Sequence, residues 1–229
     1  MLTQTYYDIL QSREDISDYV FHFTKQHEAK DTLETIINER KIRDIKGSGY
    51  ICFTEAPITM LPSMFRLFKR WYDPMYAPFG VGIKKDLFYK MGGRQVIYGE
   101  TAEKESLKSI GWDWRFVKLE PGIEDFSWLR EWRIQAFEIS LTYDNCIIVA
   151  ETDKDEEEIV FGFDDMEIEA EPADGGFEYS YTGIFKRLFK CVTIEQLSKL
   201  ESMSKAELDR LLKENQPQEY QKYLGSEWR

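Results

Sequence analysis

An α+β fold is what this sequence predicts, and three observations predict it. Strand-like and helix-like stretches follow one another without the regular alternation of a βαβ chain. The apolar fraction is 42% and aromatics make up 15%, enough for a substantial core and too much for wholesale disorder. At 229 residues, the chain suits one large domain or one domain with a modest appendage. Composition shifts near Gly175-Gly176. Residues 1–173 are therefore expected to form the main domain, and 174–229 a strand and helical extension packed on it.

Residues 1–15 read as a short helix carrying Tyr6, Tyr7 and Ile9. Residues 19–24, YVFHFT, have the β-branched and aromatic content of a buried strand. Ala29, Leu33, Ile36 and Ile37 recur at helical spacing. After Gly47-Ser48-Gly49, residues 50–54 read as a second buried strand that Pro57 cannot continue. Over 62–71, Met64, Leu67, Phe68 and Trp71 make one helical face, and Arg66, Lys69 and Arg70 gather on another. Residues 79–83 and 95–98 look like strands, and 101–110 looks helical. Residues 131–139 and 146–150 are expected to pair as strands around a turn at Tyr143-Asp144-Asn145. Met166, Ile168 and Ala170 alternate with acids, as in a half-buried strand. Residues 194–223 look mainly helical around a leucine stripe.

The net charge of −12 is unevenly spread. Residues 151–171 hold eleven acids and one base, whereas 66–94 hold seven bases and two acids. An anionic ligand near the basic segment thus stays compatible with an acidic chain. The acidic segment is either a solvated face or a docking surface for a cognate partner with a basic face. Apolar runs are only a few residues long, so no membrane span is expected. The N-terminus lacks a basic leader with an apolar stretch, and Cys52, Cys146 and Cys191 are odd in number and far apart. Both features fit a reducing cytoplasm.

P-loop, G-x-G-x-x-G, G-x-S-x-G and C-x-x-C motifs do not occur, and two histidines cannot build a histidine-rich metal site. What stands out is polar residues embedded in strands, where burial requires a partner. His22 and Thr24 share a face of the first strand, Thr54 ends the second, and Glu131 opens a later one beside Arg133. Each has an ordinary use: His22 as a core imidazole, Thr54 as a cap after its strand, Glu131 as a partner for Arg133. Convergence of His22, Thr54 and Glu131 in one cleft is the alternative.

Phe21-His22-Phe23-Thr24, a helix, then Ile51-Cys52-Phe53-Thr54-Glu55-Ala56-Pro57 resembles the opening of abortive-infection proteins of the AbiGi type. Phe79-Gly80-Val81-Gly82-Ile83, residues 92–98 and the Trp-rich approach to Glu131-Trp132-Arg133 extend the similarity over roughly residues 18 to 140. The family belongs to bacterial phage defence, where its members are often labelled antitoxins. The order of elements is also similar to the ADP-ribosyltransferase fold, a split, bent mixed sheet with flanking helices. That superfamily places a His or Arg on a first strand, an aromatic with Ser/Thr on a second and a Glu on a later one.

The resemblance implies transfer of ADP-ribose from NAD to a macromolecular acceptor, protein or nucleic acid. Glu131 would be the catalytic carboxylate. His22 would bind the adenosine-side ribose, with Thr24 on its face and Thr54 supporting the site. Phe53 or Tyr98 would stack on nicotinamide, and Arg66, Lys69, Arg70 or Arg94 would meet the pyrophosphate with Arg133 nearby. The second-strand Cys-Phe-Thr departs from the superfamily's Tyr or Ser-Thr-Ser. A non-catalytic antitoxin or sensor of the same fold is the alternative.

Overall fold

Alternation of large apolar side chains along short strands, with amphipathic helices between them, forces a sheet buried on both faces. The computed structural model describes residues 17–57, 60–70, 73–173 and 176–201. The helix expected over 1–15 and the tail beyond 201 lie outside them. The chain runs β1 (Tyr19–Phe23), α1 (Ala29–Glu39), β2 (Lys41–Arg43), β3 (Ile51–Thr54), α2 (Leu61–Phe68), β4 (Gly80–Lys84), α3 (Lys85–Lys90), β5 (Arg94–Gln95) and β6 (Ile97–Gly99). It continues through α4 (Glu103–Lys108), β7 (Phe116–Lys118), β8 (Glu131–Ile134), β9 (Glu138–Ser140), β10 (Cys146–Ala150), α5 (Asp153–Val160), β11 (Phe161–Ala173), β12 (Gly176–Arg187), β13 (Lys190–Thr193) and α6 (Ile194–Glu201).

The result is a mixed α+β structure built on a seven-stranded sheet in the order β13-β10-β4-β1-β3-β8-β5. Within that sheet only β10 and β13 run parallel. On one face Val20, Ile51, Phe53, Val81, Trp132 and Ile134 pack under Ala29, Leu33, Ile36 and Ile37 of α1 and Phe88 of α3. On the other, Phe21, Phe23 and Val149 pack under Leu61, Met64, Phe65 and Phe68 of α2 and Ile194 and Leu197 of α6. Each fully buried side chain such as Leu33 contributes about 1.5–3 kcal/mol. Gly82 lies flat between two large neighbours: a Cβ there would come within 2.8 Å of the Phe21 ring and 2.9 Å of Ile147.

The joint between β1 and β3 positions the site. It holds one register pair, Phe21↔Thr54, whereas β1 pairs along its whole length with β4. Beside that pair, His22 Nδ1 donates to the Cys52 carbonyl at 2.8 Å and holds the two strands together.

Two sequence expectations are corrected. Residues 131–139 and 146–150 do not form a hairpin: β8 pairs with β3 and β5, β9 with β2, and β10 with β4 and β13. The chain leaves the large sheet after Ile134 because Ile139 is needed opposite Ile42 in a separate two-stranded sheet. The run 95–98 splits at Val96, which is buried and donates to the Glu131 carbonyl at 3.0 Å. The acidic segment divides into a helix, Asp153–Val160, and the start of β11, which holds the strand expected at Met166, Ile168 and Ala170.

That helix, α5, begins with a capping box: Thr152 accepts from the Asp155 N–H, and Asp155 reaches back to the Thr152 N–H at 3.1 Å. Its acids are largely paired within the molecule. Lys30 donates to Asp155 at 2.8 Å and also meets Glu158, Arg187 meets Glu156, and Lys69 meets Glu151. Among the described residues no helix is long and apolar enough to cross a membrane. Thr152→Ala removes the cap and is expected to cost about 1 kcal/mol, read as a lower urea midpoint at unchanged slope.

Candidate functional site

The pairing of β3 with β8 sets Cys52 opposite Arg133 and Thr54 opposite Glu131, so all four share the face covered by α2. Arg133 Nε donates to Glu131 Oε1 at 2.7 Å, and their side chains are only 11% and 14% exposed. Arg133 Nη1 also donates to the carbonyls of Trp114 at 2.8 Å and Phe116 at 3.0 Å. The guanidinium lies 4.4 Å from the centre of the Tyr50 ring. Tyr98 Oη accepts the Glu131 backbone N–H at 3.2 Å and donates to the Phe126 carbonyl at 3.2 Å. The backbone of Glu131 is thus held by Tyr98 from outside its strand, and its side chain by Arg133 from within it.

Tyr76, from the loop before β4, packs edge-on against Phe23 and Phe68 beside this cluster. Trp128, with its ring 6.0 Å from that of Phe68, flanks it. Burial raises the Tyr76 hydroxyl above the ordinary phenol range, and the Glu131 carboxylate raises it further. Cys52 has exposed surface, yet its thiol is pushed up to about 12, first by surrounding protein and then by Glu131. Burial opposes the Arg133 charge, but Glu131 outweighs it and the net shift is upward. Neutral phenols and a neutral thiol therefore surround one carboxylate and one guanidinium.

The structure brings together Glu131, Arg133, Tyr98 and the strand bearing Thr54. Thr54 itself is a buried tie, its hydroxyl donating to the Leu129 carbonyl and accepting from the Ala56 N–H at 3.2 Å. His22, Thr24 and Phe53 do not join them. The single pair Phe21↔Thr54 sets the phase between the strands, and alternation then turns His22 and Phe53 to the α1 face. His22 packs 5.5 Å from the Phe53 ring, and Phe53 is buried with its ring 4.4 Å from that of Phe88, tilted by 53°. Thr24 is buried, donating to the Phe79 carbonyl at 2.9 Å. Arg66 and Arg70 are exposed on and just after α2, with Arg66 donating to Ser63. Lys69 turns to Glu151, and Arg94 lies over Tyr89 at the edge of the sheet.

Cys52, Tyr50 and Tyr76 were not among the sequence candidates. Tyr50, Cys52 and Thr54 alternate in sequence, a pattern that could have singled out the first two. Tyr76 sits between Pro74 and Pro78 in a loop with no periodic signal.

A recess of about 390 Å³ opens on the opposite face between Glu55, Lys85, Tyr89, Gln95 and Trp132. Glu55 is buried there, accepting from Lys85 Nζ at 2.7 Å, Trp132 Nε1 at 2.7 Å and Gln95 Nε2 at 3.3 Å. Its oxygens are used internally, so it acts as a structural hub behind β8.

Burial lowers the His22 pKa below 6.5, against the Cys52 carbonyl, which favours the charged ring, and with added repulsion from Lys25. The unfolded chain therefore binds a proton below about pH 6.5 that the folded chain refuses. Stability from neutral His22 is full above that pH and declines as pH falls toward the lower folded value. His22→Asn keeps a side-chain N–H near the Nδ1 position. It is expected to flatten the decline in urea midpoint between about pH 7 and pH 5.5. An unchanged slope would show that another group carries it.

Comparison with family models, with curated proteins and with solved structures finds no match.

Proposed function

We propose that this chain is an NAD-dependent ADP-ribosyltransferase of bacterial phage defence, acting in the cytoplasm as a toxin or effector, with Glu131 as its catalytic carboxylate. One observation carries the reading: a largely buried carboxylate held by Arg133, with its backbone held by Tyr98, among tyrosines. Breaking the bond between nicotinamide and ribose leaves positive charge on the sugar. A fixed, largely buried carboxylate stabilises that charge without reorganising. A carboxylate oxygen can accept from a ribose hydroxyl. Tyr50, Tyr76 and Tyr98 offer ring faces to the planar ends of a dinucleotide. α2 carries Arg66 toward the same side of the sheet, where pyrophosphate charge would be met. The resemblance to AbiGi-type proteins supports the biological setting.

The Glu131–Arg133 ion pair also favours a second reading, a non-catalytic antitoxin or sensor in which the pair only shapes a binding surface. Incubation of the full chain with NAD labelled on the adenylate phosphate, with and without cell lysate, tests the two. Nicotinamide release with label on a macromolecule supports the transferase. NAD binding without either product supports the binding module.

A further inference from the structure

β5 is the last strand of the large sheet, and its edge carries two arginines backed by aromatic rings. The Arg94 guanidinium lies 4.1 Å from the centre of the Tyr89 ring, and that of Arg115 lies 4.9 Å from the centre of the Trp112 ring. Both are held by carbonyls: Arg94 Nη1 donates to Tyr89 at 2.9 Å and Gly93 at 2.7 Å, and Arg115 Nε donates to Gln95 at 2.9 Å. Tyr89 and Trp112 are 53% and 48% exposed. Among the described residues neither arginine forms an ion pair, although Arg43, Arg133 and Arg187 all do. The Arg115 charge is disfavoured by burial and then by Arg94, and the attraction of an incoming anion would offset the repulsion between the two arginines.

This edge adjoins the Glu131–Arg133 pair. Arg94 is in register with Arg133, and Arg133 grips the carbonyls on either side of Arg115. We propose that the β5 edge, through Arg94 on Tyr89 and Arg115 on Trp112, docks single-stranded nucleic acid and presents it to Glu131 as the acceptor. The acceptor role rests on the transferase reading; the docking does not. A carboxylate side chain uses only the N–H edge of a guanidinium. Nucleic acid uses that edge for phosphate and the flat guanidinium and ring faces for bases, and both are offered here.

The test is fluorescence anisotropy of the full chain with a labelled mixed-sequence single strand of about 20 nucleotides, over salt from about 50 to 200 mM. Arg94→Ala/Arg115→Ala is expected to weaken binding on the order of 10–100-fold. It should also make the salt dependence shallower by about 1–1.5 in log–log slope, the share of two phosphates. Arg94→Lys/Arg115→Lys keeps the charge and should keep the slope while losing affinity, which answers the question if the alanine variant does not fold. Lys190→Ala, at the opposite edge, should change nothing. Absence of binding, equal binding by the double variant, or displacement by polyglutamate as readily as by unlabelled strand would overturn the proposal. Nicotinamide release is followed in parallel. Arginine-dependent binding without turnover keeps the docking surface and removes the transferase reading, and turnover without such binding does the reverse.

Discussion

Glu131→Gln is expected to keep the fold and to slow nicotinamide release by about 10²–10³-fold, the usual effect of removing one preorganised electrostatic stabiliser. Glutamine preserves the shape and an oxygen for Arg133 Nε. Arg133 also stays anchored on the Trp114 and Phe116 carbonyls, so the surroundings of residue 131 have little reason to move. What disappears is the charge. The Cys52 thiol reports that change independently of turnover. Its pKa stands at about 12 because of burial first and Glu131 second, so removing Glu131 should lower it and speed thiol labelling at alkaline pH. Slower turnover with faster labelling identifies a lost charge in an intact site. Unchanged turnover would remove Glu131 from the chemistry.

How much of this was legible in the sequence depends on the range of the interaction. The spacing of Ala29, Leu33, Ile36 and Ile37 predicts α1, and all four are buried. β1, β3 and β4 follow from their apolar runs in the same way. The phase between strands did not follow. Alternation says that His22 and Thr24 share a face, but only the pairing Phe21↔Thr54 decides whether that face is the one holding Glu131, and it is not. α5 has no apolar stripe beyond Ile159 and Val160, so periodicity misses it, although Thr152 and Asp155 at capping-box spacing were in view. The expected hairpin at 131–150 failed because alternation in each strand cannot say which neighbour a strand will choose. The ordinary use proposed for Glu131, pairing with Arg133, is the contact observed, and it is compatible with catalysis because it orients the carboxylate.

Glu55→Ala is expected to be the most destabilising of these substitutions, at about 3 kcal/mol, because it breaks a buried pair by removing one partner. Glu55 is 8% exposed at its side chain and holds Lys85, Trp132 and Gln95 at once. Its loss leaves the Trp132 indole N–H without an acceptor in the sheet. Lys85 is 26% exposed and can partly rehydrate, which keeps the cost toward the lower end for buried pairs. At about 2–4 °C per kcal/mol for a chain of this size, the thermal midpoint should fall by roughly 6–12 °C. Glu55→Gln keeps an acceptor for Trp132 and gives up only the charge, so about 1–2 kcal/mol is expected. Lys85→Met in the Glu55→Ala background should recover part of the loss, since the remaining cation goes with it. Trp132 follows Glu131 on β8, so loosening it should also disturb the Thr54↔Glu131 register and slow nicotinamide release. An alanine variant within about 0.5 kcal/mol of the wild type in urea denaturation would show that Lys85 and Trp132 find other partners, and that the hub does not hold β8 in place.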